Sequence, residues 1–501
     1  MMTLQACYQP INNYDPWRLP EGSTNAPTHT LAATASQALS TQVPRLTLTP
    51  APAGPIPTPN QPAILPTLRS ETTEYAVQSG DSLARIALKH QVSVAQILAA
   101  NENVEDPNLI EPDQKLIIPP ASANELATYF KIIPDSELLY SPSAIGFDTE
   151  SVVYQFNGKL ATYTEELEDG SMLTGAEIVQ RVADEFSVNP RLLLAVLEYR
   201  SGWLTGQPAP ESSKDYPLGL VDEDRKGLYK QLSWAANEMT RGYTLWEQRA
   251  LAVWTLADGA VMRIDPTING GTAGMQYMLG LLLGKDEWKQ AVSSSGFYTA
   301  YQSLFGFPFA FAIEPLVPAD LTQPDLALPL AEGDTWYLTG GPHVGWGTGS
   351  AWAGLDFAPP GEEYGCYEST TPVLAAADGL VVRSENGAVV QDLDGDGIEQ
   401  TGWSLLYMHI AAAGRTSLGT YLNEGDVIGY PSCEGGFSTG THLHVARRYN
   451  GAWIPADGGT PFVLGGWVAS GTGVEYDGYL SKDGQTVEAF NGRADFNQIG
   501  R

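Results

Sequence analysis

Two histidines set two residues apart constrain the fold of this chain more than any other feature of its sequence. His442 and His444 stand in residues 438–445, between a glycine-rich turn and a short apolar run. Side chains two apart on a strand point to the same face of the sheet, so this spacing places both imidazoles in one site. Neutral imidazole is the commonest metal ligand and a common acid–base group. Four of the six histidines, the pair together with His343 and His409, lie in the last third of the chain, which favours a metal or acid–base site over isolated structural histidines.

Length and charge bound the class of protein. The chain has 501 residues, enough for two to four domains, and its hydrophobic content of 43% is that of a globular protein. Its 58 acidic residues against 27 basic ones give a net charge of −31. This charge argues against nucleic acid and anionic lipid surfaces as partners, since both attract basic proteins. It fits a soluble surface protein or one that attracts cations, and equally an acidity that only maintains solubility. The sequence contains no apolar run of about 18 residues, so it predicts no membrane span.

Residues 1–73 are predicted to form a disordered linker rich in proline and threonine. Proline fixes φ and lacks the N–H donor, so the segment is expected to be extended and unpacked. The N-terminus lacks the charged and then apolar pattern of a signal peptide. The residues Leu-Gln-Ala-Cys at 4–7 nevertheless resemble the end of a bacterial lipoprotein signal. This resemblance implies a lipidated Cys7 and a true start upstream of the recorded one; a stray cysteine in a tail is the alternative.

Residues 74–120 form a different, compact unit. The order is a short strand, a turn with an N-cap, two helically spaced apolar runs and a closing strand. Tyr-x-Val-x-x-Gly-Asp-x-Leu, then Ile-Ala, then Asn101, then Gln-x-Leu-x-Ile-Pro resemble the LysM module over its whole length. The resemblance implies a βααβ fold that binds glycans containing N-acetylglucosamine, such as peptidoglycan. A purely structural role is the alternative.

Residues 121–315 are mostly helical in pattern, with predicted helices over 176–186, 190–199, 227–241, 245–256 and 273–283. Residues 186–203 resemble the first catalytic motif of lysozyme-like lytic transglycosylases, in which a glutamic acid precedes the serine. Arg200 holds that position here, and an arginine cannot act as a general acid. The nearby Glu198 lies about 200° away around the helix. We therefore predict a lysozyme-like domain that has lost transglycosylase chemistry and serves glycan binding or spacing.

Residues 316–501 are predicted to form an all-β antiparallel domain, because glycines, aromatic residues and short alternating runs recur with regular turn signals. A hydrolytic zinc site needs three protein ligands and an open position for water, whose pKa the metal lowers to about 7. The candidate ligands are His343, Asp356 and one histidine of the 442/444 pair. His409 and the other histidine are then the groups that accept the proton of the water and stabilise the oxyanion.

Three motifs of this domain resemble the lysostaphin and LytM relatives, which are LAS-type zinc metallopeptidases. They are Gly-x-x-Thr-Gly-x-His-Leu-His at 436–444, Tyr-x-His at 407–409 and Thr-Pro-Val-x-Ala-x-x-x-Gly at 371–379. Most of the family has His-x-Gly-x-Asp, but Trp352 stands where that histidine belongs. A branch similar to staphylolysin and beta-lytic endopeptidase places the histidine thirteen residues before the Asp. The resemblance to this branch implies the metal ligands His343, Asp356 and His444 and the catalytic residues His409 and His442; the alternative is a degenerate fold with structural histidines.

Two further features of this domain leave alternatives open. Asp392, Asp394 and Asp396 begin a DxDxDG pattern that is typical of calcium loops. Trp403 stands where the bidentate glutamate is expected, and Glu399 is the candidate substitute, so the pattern indicates either a calcium clip or an ordinary acidic turn. Cys366 and Cys433 lie in the same domain and either pair in an oxidising compartment or stay reduced.

The whole sequence therefore predicts a multidomain α+β protein. It is expected to be a monomeric, secreted or surface-anchored zinc endopeptidase that cleaves peptide stems or cross-bridges of bacterial peptidoglycan, with the LysM module holding it to wall glycan. One alternative is a non-catalytic peptidoglycan-binding or amidase-activator-like scaffold. Another is a glycan-cleaving enzyme that acts through the middle domain.

Overall fold

The computed structural model describes residues 56–501 except residues 79, 105, 108, 124, 207–209 and 362. Cys7 and the predicted linker up to residue 55 lie outside the described residues. None of the described helices combines the length and the hydropathy that a membrane span requires. The predicted multidomain α+β class, with an all-β C-terminal part, is confirmed.

Residues 73–118 fold in the predicted βααβ order. The elements are β1 (Thr73–Ala76), α1 (Leu83–His90), α2 (Val94–Ala100) and β2 (Lys115–Ile118), with β1 antiparallel to β2. Ser93 begins α2 with a capping box, because its hydroxyl accepts from Gln96 N while the Gln96 side chain accepts from Ser93 N. Ile86, Ile97 and Leu116 fill a small core of their own.

The described part of the predicted linker is extended but not unpacked, so that part of the prediction is wrong. Residues 56–72 contain no helix or strand. Asn60 N nevertheless donates to Thr267 O, and Ala63 N donates to Pro266 O, both at 2.8 Å. Ala63 and Leu65 pack against the core of the helices. Prolines exclude a strand ladder here, but the N–H groups between them still find partners on the neighbouring surface.

The helical region, residues 125–311, contains eight helices among its described residues. They are α3 (Asp135–Leu138), α4 (Thr149–Phe156), α5 (Gly175–Phe186), α6 (Pro190–Ser201), α7 (Leu228–Glu247), α8 (Gly270–Leu282), α9 (Lys285–Ala291) and α10 (Phe297–Phe305). Short strands precede and separate these helices: β3 (Glu125–Leu126) comes before α3, and β4 (Thr164–Glu166), β5 (Met172–Thr174), β6 (Val253–Thr255) and β7 (Val261–Arg263) lie between later helices. α7 and α8 pack closely, because a Cβ at Gly242 would lie 2.9 Å from the Cα of Gly274.

The prediction of a helix over 245–256 is wrong. α7 runs to Glu247, and after a turn at Arg249 (φ 53°) the chain forms β6. β6 pairs with β7 in antiparallel register. The apolar spacing of this segment also suits a short strand, and the β-branched Val253 and Thr255 favour that state once a partner strand is present.

The β region, residues 326–501, is built on one large antiparallel sheet in the order β14-β11-β12-β13-β16-β9-β8-β22, with β17 paired to β16. Its strands are β8 (Thr335–His343), β9 (Gly354–Ala358), β11 (Gly379–Glu385), β12 (Ala388–Asp392), β13 (Trp403–Met408), β14 (Tyr421–Leu422), β16 (Leu443–Tyr449), β17 (Ala452–Trp453) and β22 (Gln498–Gly500). Two smaller sheets complete it: β10 (Val373–Leu374) with β15 (Val427–Gly429), and β18 (Val463–Leu464), β19 (Trp467–Gly471), β20 (Gly478–Lys482) and β21 (Gln485–Glu488) in that order.

The large sheet is buried on both faces. On β16, Leu443 and Val445 belong to the core of the β region, whereas Ala446 belongs to the apolar cluster that it shares with the helical region. Trp346 also joins that shared cluster, and its ring meets Phe186 of α5 edge-on at 6.5 Å. The helical region therefore covers the face of the sheet to which His444 belongs.

Candidate metal site

Three neighbouring strands bring the predicted ligands together. His343 ends β8, Asp356 lies on β9 and His444 lies on β16 directly opposite Asp356. His343 Nε2 lies 2.9 Å from His444 Nδ1 and 3.2 Å from Asp356 Oδ1, and His444 Nδ1 lies 3.1 Å from Asp356 Oδ1. Ligand atoms on a tetrahedral zinc ion with bonds of about 2.0–2.1 Å stand about 3.3 Å apart. The three donor atoms therefore fit one such ion.

Backbone carbonyls orient both ligand imidazoles. His343 Nδ1 lies 2.8 Å from Gly341 O, and His444 Nε2 lies 3.2 Å from Gly345 O. A carbonyl oxygen can only accept, so we assign the proton of each ring to the nitrogen that faces the carbonyl. The lone pairs of His343 Nε2 and His444 Nδ1 then point at Asp356. Partners of this kind hold ligating histidines in known metal sites.

The surroundings shift the pKa values of the three clustered residues in different directions. Burial raises the pKa of Asp356, but the positive charges that His343 and His442 carry when protonated outweigh burial and hold that pKa well below its ordinary value. Burial lowers the pKa of His444, which keeps this imidazole neutral. Burial also lowers the pKa of His343, but the Asp356 carboxylate raises it by more. An ionised carboxylate and neutral imidazole are the forms that bind zinc.

His409 and His442 stand beside this cluster, with ring centroids 4.4 Å apart. His409 Nδ1 lies 2.9 Å from Glu434 O, and His442 Nδ1 lies 2.8 Å from Gly440 O, so Nε2 is the unprotonated nitrogen of each neutral ring. His442 Nε2 lies 3.6 Å from Asp356 Oδ1. Burial, and then the nearby His442 and His444, hold the pKa of His409 well below its ordinary value.

His409 has a backbone conformation that side chains rarely adopt. Its φ is 64°, in the left-handed region, where a residue other than glycine costs about 1 kcal/mol or more. Ser432 holds this conformation, because its backbone N–H and its hydroxyl both donate to His409 O, at 2.6 and 3.1 Å. The turn thus directs the imidazole toward the site at the end of β13.

All five predicted residues line one open cleft. Sequence analysis missed the residues that complete its walls, among them Tyr476, whose ring stacks on His343 at a centroid distance of 4.2 Å. Tyr476 lies far along the chain in a loop without a recognisable motif, so no local signal points to it. The other lining residues are Val344, Gly345, Trp346, Gly347, Met408, Gly435, Gly436 and Phe437.

A disulfide supports one wall of the cleft. Cys366 and Cys433, which the sequence leaves open, are bonded, with their Cα atoms 5.6 Å apart. Thr441, the residue before His442, binds the neighbouring segment, because Tyr367 N donates to Thr441 Oγ1 at 2.8 Å and Thr441 N donates to Gly365 O at 2.9 Å. The loops that carry Glu434 and His442 are therefore tied to one another through residues 365–367.

The three aspartates of the DxDxDG pattern lie together, with ligand atoms within 4.8 Å of one another. Asp392 already accepts from Gly397 N at 2.9 Å and from Asp394 N at 3.2 Å, as in an ordinary acidic turn. The prediction that Glu399 completes the loop is wrong. Glu399 is buried and binds Arg383 through two hydrogen bonds of 3.0 Å and also binds Arg448.

The transglycosylase-like motif holds no available acid. Glu198 caps the turn after α6, where its Oε2 accepts from Leu204 N and Thr205 N, each at 3.0 Å. Arg200 Nε donates to Leu218 O at 2.8 Å. Both side chains have structural partners, which agrees with the expectation that this motif has lost glycan-cleaving chemistry.

Three segments match known protein families. They are the LysM domain at residues 75–119, the LasA N-terminal domain at 131–317 and Peptidase family M23 at 352–455. The middle segment is therefore similar to the LasA N-terminal domain, and the lysozyme-like resemblance has only loose support.

Individual relatives are similar over larger stretches. Protease LasA of Pseudomonas aeruginosa (strain UCBPP-PA14) is 28% identical over 346 residues, which cover 65% of this chain and 75% of that protein. Beta-lytic metalloendopeptidase of Lysobacter enzymogenes is 27% identical over 172 residues, 32% of this chain and 90% of that protein. The solved structure of the M23 metalloprotease pseudoalterin is 22% identical and covers 36% of this chain and 100% of its own, with a TM-score of 0.30. The family matches therefore show a segment of Peptidase family M23, preceded in the chain by a LysM domain and by a segment similar to the LasA N-terminal domain.

Proposed function

We propose that this chain is a zinc-dependent endopeptidase that hydrolyses peptide stems or cross-bridges of bacterial peptidoglycan. The observation that carries the proposal is the convergence of His343 Nε2, Asp356 Oδ1 and His444 Nδ1 within 3.2 Å of one another beside an open cleft. We assign these three residues as the zinc ligands. The LysM domain, at the other end of the described chain, supplies binding to wall glycan.

His409 and His442 perform the proton transfers. Zinc, when bound, lowers the pKa of a water molecule and polarises the scissile carbonyl. His409 is neutral at neutral pH, because burial holds its pKa well below the ordinary value, so its Nε2 can accept the proton of the attacking water. His442 faces the same cleft and, when it carries a proton, donates a hydrogen bond to the developing oxyanion. A protonated histidine of the pair then returns a proton to the leaving amine.

The carbonyls behind the histidines keep these roles separate. Gly440 O accepts a hydrogen bond from His442 Nδ1 at 2.8 Å and Glu434 O accepts one from His409 Nδ1 at 2.9 Å, which leaves Nε2 of each ring to exchange protons with substrate. A backbone carbonyl oxygen can only accept a hydrogen bond, so the Nδ1–H tautomer of each neutral ring stays the same during turnover.

Digestion of purified peptidoglycan tests the proposal. Wild type, His442→Ala and Glu198→Gln are compared, and new chain ends are identified by mass spectrometry. We expect new amino termini with wild type and Glu198→Gln, and none with His442→Ala. New reducing or anhydro sugars that disappear in Glu198→Gln would support the glycan-cleaving alternative instead. Glycan binding without any new ends would support the non-catalytic scaffold.

Several finer assignments belong to the same proposal. We place the protein outside the cytoplasm, since its disulfide suits an oxidising compartment. The lipid anchor at Cys7 stays a prediction, because Cys7 lies outside the described residues. The monomeric state, the division at residues 73, 120 and 315, and calcium binding by Asp392, Asp394 and Asp396 also stay predictions.

A further inference from the structure

One loop connects two of the proposed zinc ligands and reaches across to the helical region. Residues 344–353, the ligand loop, run from His343 at the end of β8 to Gly354 at the start of β9. Gly345 O, in this loop, lies 3.2 Å from His444 Nε2. The ligand loop therefore supplies the carbonyl that faces the ring of the third proposed ligand.

The ligand loop contains only short internal restraints. Gly345 N donates to Ala351 O at 3.1 Å, and Trp346 N donates to Ser350 Oγ at 3.0 Å. The tip of the loop, Thr348 and Gly349, is instead held by α7 of the helical region. Thr348 N and Gly349 N both donate to Asn237 Oδ1, at 2.8 and 2.9 Å.

The side-chain contacts of the tip point to the same residue. Asn237 Nδ2 donates to Thr348 Oγ1 at 3.0 Å and to Glu238 Oε1 at 2.9 Å. Arg241, one turn later on α7, donates to Thr348 Oγ1 at 2.7 Å and is itself paired with Glu238 at 3.0 Å. Asn237 thus satisfies two backbone donors of the tip and one hydroxyl, and no other described side chain does so.

The fit between the tip and α7 leaves no room for adjustment. A Cβ at Gly349 would lie 2.0 Å from Asn237 O, so the loop backbone rests directly on the helix backbone. A Cβ at Gly347 would lie 2.7 Å from Asn237 Oδ1, and Gly347 has φ +62°. Close packing of this kind transmits a change on α7 to the loop instead of absorbing it.

We propose that Asn237 of the helical region is a positioning residue of the zinc site. It fixes the tip of the ligand loop, and through the loop it holds Gly345 O against the ring of His444. The LasA-type N-terminal domain of this chain therefore contributes to metal binding by the M23 domain. This inference rests on the proposed ligand set.

The expected effect follows from the loss of the two accepted N–H bonds. In Asn237→Ala, Thr348 N and Gly349 N lose their acceptor, and the tip leaves α7 to find water. Gly345 O then no longer fixes the His444 ring. Partners behind metal ligands typically change metal affinity 10- to 100-fold, and Asn237 acts one step further out, so we expect a zinc Kd about tenfold higher.

Zinc affinity of the full chain, measured by competition with a chromophoric chelator, tests the inference. The matched control is Ser187→Ala, because Ser187 Oγ donates to Gly451 O at 2.7 Å across the same two regions without touching the ligand loop. Thr348→Val, which removes only the hydroxyl, provides a second test and should weaken zinc binding about threefold. Melting of the metal-free proteins shows that each variant is folded.

The outcomes separate this inference from the proposed function. Weaker zinc binding in Asn237→Ala and in Thr348→Val, with no change in Ser187→Ala, supports the inference. Wild-type zinc affinity in both Asn237→Ala and Thr348→Val would overturn it and leave the proposed function intact. Equal weakening in Ser187→Ala and Asn237→Ala would also overturn it, since general loosening between the regions would then suffice. A wild-type protein without zinc affinity would overturn both.

Discussion

Gly354 is the residue at which a single methyl group should remove the metal. It begins β9, two residues before Asp356, and a Cβ placed on it would lie 2.3 Å from Cε1 of His444 and 3.0 Å from Nε2 of the same ring. Val344 O, at 3.0 Å, closes the remaining side. Carbon atoms in van der Waals contact stand about 3.5–4.0 Å apart, so Gly354→Ala requires the ring to move by more than 1 Å.

The His444 ring has little space into which it can move. β16 is hydrogen-bonded to β9 and β13 on its two sides, so its backbone cannot follow the ring. A displacement of catalytic groups by about 1 Å is enough to lower the rate of the reaction about 100-fold. Overpacking of this kind destabilises a fold by about 1–3 kcal/mol, which leaves most domains folded. We therefore expect Gly354→Ala to fold, to bind zinc more weakly and to lose at least about 100-fold in the rate of peptide hydrolysis.

The assay compares zinc content after gel filtration, zinc affinity and hydrolysis of peptidoglycan peptides. Gly459→Ala is the matched control, because a Cβ at Gly459 meets no atom within 4 Å. Circular dichroism should show the same fold for both variants. One zinc per chain with wild-type affinity in Gly354→Ala would refute the proposed packing of His444, and with it the assignment of this ring as a ligand.

Three further predictions follow from individual contacts. His444→Ala should reduce zinc from about one per chain to none in elemental analysis, and a metal-free wild type with full activity would contradict the ligand set. Arg191→Ala should destabilise the helical region by about 3–5 kcal/mol in urea unfolding, because it leaves Glu137 as an unpaired buried charge, and a loss below about 1 kcal/mol would show that Glu137 finds another partner. Burial, and then the charge of Glu399, raise the pKa of Asp184 to about 7, so the folded state keeps a proton that the unfolded chain loses near pH 4, and stability falls as pH rises from about 4 to 7. Asp184→Asn should remove about 2 kcal/mol of that fall after allowance for partial solvent access, seen as a smaller drop in melting temperature from pH 5 to pH 8; an unchanged drop would contradict the shift.

Several residues of the candidate site lie outside the segment that matches Peptidase family M23. The M23 match covers residues 352–455, so it begins after His343 and after the tip of the ligand loop. The residues that complete the site come from before this segment, through His343 and Asn237, and from after it, through Tyr476. A fragment limited to the matched segment would lack one proposed ligand.

Local sequence determined the parts of this protein that depend on neighbours in the chain. The two-residue spacing of His442 and His444 placed them near the start of one strand, and the βααβ order of residues 73–118 followed from its caps and apolar spacing. The resemblance to the branch in which a histidine stands thirteen residues before the Asp made His343 the first ligand candidate, and the structure places His343 and Asp356 on two paired antiparallel strands. These features rest on periodicity and motif spacing, which a sequence displays directly.

Tertiary structure decided everything that depends on which surfaces meet. Glu399 follows the calcium-like loop closely in the sequence, but in the structure it binds Arg383 and Arg448. A buried carboxylate is stable only when it is paired with a cation. Residues 253–255 form a strand and not a helix because β7 lies beside them. The same holds for the Gly345 carbonyl behind His444 and for the bonds from Thr348 and Gly349 to Asn237, which join residues about a hundred positions apart. A long-range contact leaves no period in the sequence, so only the folded chain shows that a helix of another region holds the loop beside His444 on β16.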